Sequence, residues 1–201
     1  MPRAFSEEER QTIRRQLHEQ GEKLFEAYGL RKTTVEDITQ AVGISKGSFY
    51  LFYASKEELL LEILERIETD LRSSILEYTV APRERARESA SAILKSFLLT
   101  WDAFPLLRKL DKSDFDYLAR KLPAERVQAH IDRDQEFIDS FIKKFEGDGI
   151  TVQVSPRVVA NLIKSLFFVA IHRYDLGEDD YRECMEILVH LVAGYITEGA
   201  T

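Results

Sequence analysis

GISKGSFYLFYASKEEL, residues 43–59, packs the aromatics Phe49, Tyr50, Phe52 and Tyr53 into five consecutive positions. In a helix that only fills a core, aromatics recur at spacings of three and four. These four surround a short helix on more than one side, so some of them face outward. Phe49 and Tyr53, four apart, turn inward together, which leaves Tyr50 beside Ser45, Lys46 and Ser48 on the outer surface. Phe52 fits either side. Hydroxyls, an ammonium and the backbone amide bared at Gly47 are phosphate donors, and Lys56 adds charge where the next helix begins.

Outward from this stretch, the signals are helical. Thr34-x-x-Asp37 is a capping box that opens a short segment with Val35, Ile38, Ala41 and Val42, and Gly43 ends it. Two short helices joined at Gly43 make a helix-turn-helix, whose second helix offers its first residues to the DNA major groove. Ser6-x-x-Glu9 opens a long first helix with Ile13, Leu17, Gly21, Leu24, Phe25 and Tyr28 on one face, and Gly29 stops it. Ser55-x-x-Glu58 opens a fourth helix that carries Leu59, Leu60, Ile63, Leu64 and Ile67 toward Tyr78.

Residues 8–64 resemble the amino-terminal domain of the TetR family of bacterial transcriptional regulators. The likeness lies in the long first helix, Thr33-Thr34 before the second, the Gly-Ile-Ser turn at 43–45, Lys-Gly-Ser-Phe-Tyr at 46–50, and Ser-Lys-Glu-Glu-Leu at 55–59. The resemblance implies that Thr34, Ser45, Lys46, Gly47, Ser48, Tyr50 and Lys56 sit at DNA, with Lys46 near base edges and Tyr50 and Lys56 on phosphates. Thr34 is equally well accounted for as a helix cap alone. The sequence departs from the family pattern at two positions. Phe52 stands where relatives often carry His or Tyr able to reach the backbone, so that contact is missing or becomes apolar. Thr39 occupies a site that is usually a small alanine.

Beyond Tyr78 the prolines at 82, 105, 123 and 156 stand where helices begin or end. They predict helices near 83–101, 113–122, 124–145 and 156–174, with a last one over 179–197. Gly147-Asp148-Gly149 marks a loop, and residues 151–154 are too few to found a sheet. The fold class is therefore all-α: an amino-terminal three-helix DNA-binding domain over 1–55, then a larger helical effector-binding and dimerisation domain over 56–201.

In that second part, the helices after Pro156 and Asp179 are apolar around more of their girth than one subunit covers. Pairing with their symmetry mates would bury the excess through Leu162, Leu166, Phe167, Leu188, Leu191, Val192 and Tyr195, as the family resemblance also implies. On the helix after Pro123, Val127, Ile131, Asp134, Ile138, Phe141 and Phe145 form one stripe that a carboxylate interrupts. Asp134 either makes a partly buried ion pair with an arginine or with His130, or joins His130, Trp101, Phe104, Phe115, Tyr117, Phe137 and Phe141 as a polar group of an aromatic effector pocket. In the second case a cationic amphipathic compound would suit it.

Composition narrows the rest. The chain has 201 residues, 44% hydrophobic and 31% charged, which befits one or two globular domains. Its formal net charge of −7 argues against coating nucleic acid nonspecifically or lying on an anionic membrane. Residues 1–60 hold nine Lys and Arg against ten Asp and Glu, so the acidity sits mainly in the second part. A single cysteine, Cys184, precludes an internal disulfide, and no Cys/His cluster suggests a metal. The first residues lack the apolar stretch of a secretory signal, and the longest apolar run, Leu166 to Ile171, is too short to span a bilayer. The expectation is a cytoplasmic protein without cofactor, partnered by palindromic operator DNA, a small-molecule effector and its own second copy. Repression released by the effector is the family's habit. A helical protein-interaction module is the alternative. A small helical enzyme is the least favoured reading, since His130 with Asp134, or His172 with Asp175, builds neither a metalloprotease helix nor a nucleophile turn.

Overall fold

In the computed structural model, residues 5–77, 86–147, 152 and 154–197 are described, and no strand occurs among them. The helices run α1 (Glu7–Lys32), α2 (Val35–Val42), α3 (Lys46–Phe49), α4 (Lys56–Glu77), α5 (Ala86–Ala103), α6 (Pro105–Lys109), α7 (Lys112–Lys121), α8 (Ala124–Gly147), α9 (Pro156–Ile171), α10 (Arg173–Leu176) and α11 (Glu178–Thr197). The short α6 and α10 are additions to the sequence reading. The expected start of a helix at Arg83 and the expected turn at residues 148–149 lie outside the described residues.

Local chemistry sets the helix ends. Ser6 and Glu9 cap α1 reciprocally, the hydroxyl accepting from the Glu9 amide at 3.1 Å and the Glu9 carboxylate from the Ser6 amide at 2.7 Å. Thr34 and Asp37 do the same for α2. Asp111 and Asp114 cap α7 by a box the sequence reading missed, because it began this helix at residue 113, beyond the cap. Gly29 leaves helical backbone as expected, but helix resumes beyond it to Lys32.

The chain divides into two compact units, Met1–Glu68 with Pro105–Leu122, and Thr69–Phe104 with Pro123–Thr201. The first therefore runs past residue 55, where sequence alone divides the chain, and takes in α6 and α7. Cations and helix ends explain that recruitment. The Lys109 ammonium donates to the carbonyls of Glu26 and Ala27 at 2.6 and 2.9 Å, satisfying acceptors where α1 breaks. Arg31 donates to the Ser113 hydroxyl at 2.9 Å and lies over the Tyr117 ring, whose own hydroxyl donates to Glu57 at 3.0 Å. Leu106, Leu107 and Leu118 are buried, as are Leu17, Phe25, Ile38, Phe49, Leu59 and Ile63 of the same unit. A Cβ on Gly21 would stand 3.0 Å from Cδ2 of Leu59, so α1 and α4 approach closely at this point.

The second unit is built around α5, α8, α9 and α11. Ile93, Leu94, Phe141, Phe145, Leu166, Met185, Val189 and Ala193 share one buried cluster. The α8 stripe holds at Ile138, Phe141 and Phe145, but Ile131 is 44% exposed. Leu166, expected at a dimer interface, is consumed inside this core. The face left open on α11 is Ile187, Leu191 and Tyr195, each more than half exposed at a spacing of four; Leu191 and Tyr195 are among the residues expected at a partner.

Gly43 carries the turn between α2 and α3 at φ 78°, ψ 29°, a left-handed conformation that a Cβ disfavours by about 1–2 kcal/mol. Gly43→Ala is expected to lower the unfolding free energy by about that amount in a denaturant titration; an unchanged midpoint would contradict this account of the turn.

Candidate nucleic-acid interface

The turn after α2 is closed by two amides, Gly43 and Ile44, donating to the Thr39 carbonyl at 2.9 and 3.0 Å. Thr39 itself is buried, and its hydroxyl donates to the Glu36 carbonyl at 3.0 Å, so the departure from alanine costs no unsatisfied polar group. Ser45 then caps α3 by accepting from the Ser48 amide at 3.0 Å. After four helical residues the backbone continues in tight turns, with the Phe52 and Tyr53 amides donating to the Phe49 carbonyl at 2.9 and 3.1 Å.

Phe49 and Tyr53 anchor this segment inward, as their spacing predicts. Phe49 is fully buried, Tyr53 is nearly so, and their rings lie 5.9 Å apart. Ser45, Lys46, Gly47, Tyr50 and Leu51 are exposed. Tyr50 is half exposed, and its ring stands edge-on to Phe49 at 5.6 Å, so its orientation is set from within. The sequence reading passed over Leu51, whose side chain has no polar chemistry to signal a role.

Two cations expected at DNA, Lys46 at base edges and Lys56 on phosphate, are engaged with groups of the chain itself. The Lys46 ammonium pairs with the Glu36 carboxylate of α2, and that hydrogen bond raises the lysine and lowers the glutamate from their ordinary values. Lys56 does not face solvent as a free cation. Its ammonium donates to the carbonyls of Leu30, Thr33 and Arg31 at 2.8, 2.5 and 3.3 Å, closing the end of α1, and burial lowers its affinity for the proton. Its role here is to splice α4 to α1. Thr34 acts as the α2 cap; its hydroxyl also donates to Asp37 at 2.6 Å. Ser48 is shared with Ser45, hydroxyl to hydroxyl, at 2.8 Å.

Behind the anchors lies a polar cluster that no local pattern announces, since the bonds from Arg14 and His18 of α1 to Tyr53 and Glu62 span 35 to 48 residues. His18 Nε2 lies 2.9 Å from both the Tyr53 hydroxyl and Glu62 Oε1. Arg14 grips both oxygens of Glu62 at 2.9 and 2.7 Å. Burial works to raise the Glu62 carboxyl, but the hydrogen bonds and charge of Arg14, then His18, outweigh it and hold the group below its ordinary value. Burial lowers His18 against the pull of the same carboxylate.

The residues expected at an effector pocket are divided between the two units. Phe115 and Tyr117 belong to the first unit with α7, Phe104 to the second, and the Trp101 side chain lies outside those described. On α8, Phe137 and Phe141 stand 6.3 Å apart, and His130 Nε2 lies 4.0 Å from Asp134. Asp134 pairs with Arg72, whose guanidinium also covers the Phe137 ring at 5.4 Å. The ion-pair alternative for Asp134 is therefore the one realised.

Residues 17–63 match the family model of the tetR family of bacterial regulatory proteins. The chain is 29% identical over 117 residues to the HTH-type transcriptional regulator YuxN of Bacillus subtilis, a match over 55% of this chain and 40% of YuxN. It is 32% identical over 91 residues to the HTH-type transcriptional repressor DhaR of a Mycobacterium species, over 43% and 46% of the two chains. It thus spans less than half the length of either relative. Its fold is similar to that of a TetR-family regulator from Syntrophomonas wolfei, with a TM-score of 0.68 at 18% identity over 92% of this chain and 95% of the other. It is also similar to SmeT, the repressor of a Stenotrophomonas maltophilia multidrug efflux pump, with a TM-score of 0.63 at 20% identity over 94% and 92%.

The depressed His18 makes stability pH-dependent. Above its ordinary value of 6.5 the imidazole is neutral in both folded and unfolded chains, and the full stability is present. As the pH falls below 6.5, the unfolded chain takes the proton first and stability is lost until the folded value is passed. Glu62 acts in the same direction only below its ordinary 4.5. His18→Gln is therefore expected to flatten the decline in unfolding free energy between about pH 7.5 and 5.5 relative to the unaltered chain. Parallel declines in the two proteins would refute it.

Proposed function

Because the chain belongs to the TetR family of bacterial transcriptional regulators, we propose that it is a cytoplasmic, non-enzymatic repressor that binds palindromic operator DNA as a homodimer and is released by a small hydrophobic effector. The observation that carries the DNA-binding reading is the two-sided recognition segment. Phe49 and Tyr53 fix it from within, while Ser45, Lys46, Gly47 and Tyr50 remain outside with hydroxyls, an ammonium and a bare backbone. In this reading Lys46 leaves Glu36 for base edges and Tyr50 bonds a phosphate. Ser45, Ser48 and Thr34 contribute hydroxyls at the same face.

Dimerisation is supported by the apolar stripe Ile187, Leu191 and Tyr195 of α11 and by the exposed Phe168 and Val158 of α9. A two-fold partner would set two recognition segments about 34 Å apart, one turn of DNA. The names of DhaR and SmeT as repressors favour repression here. With Asp134 neutralised by Arg72, the effector needs no positive charge. Release would run through α4, whose residues are divided between the two units. A coupling of about 1–3 kcal/mol per effector would weaken DNA binding by about 5- to 150-fold.

The test of the DNA reading is selection of a duplex from a randomised pool by the purified protein. A palindromic consensus is expected, and Lys46→Ala or Tyr50→Ala should weaken binding to it by about tenfold or more with helicity intact. No enrichment of any duplex would overturn this function. For the dimer, light scattering should give about twice the 23.3 kDa chain mass. Leu191→Asp, at a position already exposed in one subunit, should halve that mass without unfolding the chain; a monomer mass for the unaltered protein with DNA binding retained would remove the homodimer.

A further inference from the structure

We propose that Arg10, laid over Phe52 at the edge of the recognition segment, is a phosphate ligand that takes over the backbone contact Phe52 cannot make. This rests on the DNA-binding reading above and adds a cation to it from a different helix. Phe52 lies two residues beyond Tyr50 and is neither fully buried nor free. Phe5 supports its ring at a centroid distance of 6.2 Å, and the Arg10 guanidinium carbon lies 5.2 Å above it. The Arg10 side chain is exposed, and among the described residues no carboxylate lies within ion-pair distance of it.

Arg14, one turn further along α1, shows what a spent arginine looks like in the same setting. It covers the neighbouring Tyr53 ring at 5.6 Å, but both of its donors toward Glu62 are used. Two consecutive aromatics thus each carry an arginine of α1, and only the outer one keeps its charge for a partner. The nearby acids do not claim it: Glu9 is held in the Ser6 cap, and Glu7 accepts from Gln11 at 3.3 Å.

The chemistry of the guanidinium decides what that partner is. Stacking on an aromatic ring uses the flat face of the group and leaves its in-plane N–H donors pointing outward, in the fork that matches two oxygens of a phosphate. The ring also limits the rotamers of a long side chain, so less freedom is lost on binding. A phenylalanine at position 52 has no donor of its own, but it makes a platform for one. In a first segment where anions slightly outnumber cations, a placed arginine matters more than one among many.

The experiment uses the full chain and the duplex it enriches from a randomised pool, with affinity measured from about 50 to 200 mM salt. Arg10→Ala should lower affinity by about tenfold, and it should lower the slope of log K against log salt by about two per dimer, one phosphate per half-site. The preferred sequence should not change. Arg10→Lys should keep the slope and recover only part of the affinity. Phe52→Leu, which removes the platform and keeps an apolar side chain, should lower affinity while leaving the charge in place. Thermal unfolding of each variant guards against a merely structural effect, which would not move the salt slope. If Arg10→Ala binds with unaltered affinity and slope while Lys46→Ala is weakened, the Arg10 contact is wrong and the DNA reader stands. If the unaltered protein enriches no duplex, both fall.

Discussion

A helix of four residues has no stability of its own, because the cost of nucleating it is not repaid by so few hydrogen bonds. Everything that α3 presents therefore depends on the burial of Phe49 and Tyr53, each contributing on the order of 2 kcal/mol. Tyr53 does a second thing: its hydroxyl is tied into the cluster of His18, Glu62 and Arg14. That cluster connects α1, α4 and the recognition segment through groups that would be costly to leave unpaired. The outward-facing residues inherit their positions from these inward-facing ones. An isolated peptide of residues 43–59 would have the same donors and no fixed arrangement of them.

What could be read from sequence follows the range of the interaction. The caps at Ser6, Thr34 and Ser45, the turn at Gly43 and the inward pair Phe49 and Tyr53 are local, within four residues of one another, and the structure bears them out. At Ser55 the local signal was only half right. The hydroxyl accepts from the Glu58 amide, while the Glu58 carboxylate reaches the Ala54 amide instead of Ser55's. Lys56 carries the charge that the family resemblance implies, but its ammonium sits where α1 ends, and the carbonyls there draw it in. No spacing rule contains that information, since the acceptors are 23 to 26 residues away.

The same limit governs α6, α7 and Asp134. Phe115 and Tyr117 looked like pocket aromatics because they are aromatic and lie amid the second part of the chain. Tyr117 is a ring under Arg31 and a donor to Glu57, and Ser113 and Asp114 complete the docking of α7 in the first unit. Asp134 interrupts an apolar stripe in the sequence, which marks it as needing a partner without saying which. Arg72, 62 residues away, supplies it.

The cations of the first unit differ in what they must give up to bind an external anion. Lys56 would have to abandon three carbonyls that end a helix, and Arg14 a bidentate carboxylate beside a buried histidine. Lys46 has only an exposed pair with Glu36 to exchange, the kind of contact that water and salt already weaken. Arg10 has the least to lose, since a ring contact made through the face of the guanidinium persists while its edge binds. Ranked by that exchange cost, the available charge lies at Lys46 and Arg10, one from the recognition segment and one from α1. A segment whose net charge is close to zero can still grip a polyanion, provided that the groups neutralised internally are those that hold the fold and the groups left over are those at its recognition edge.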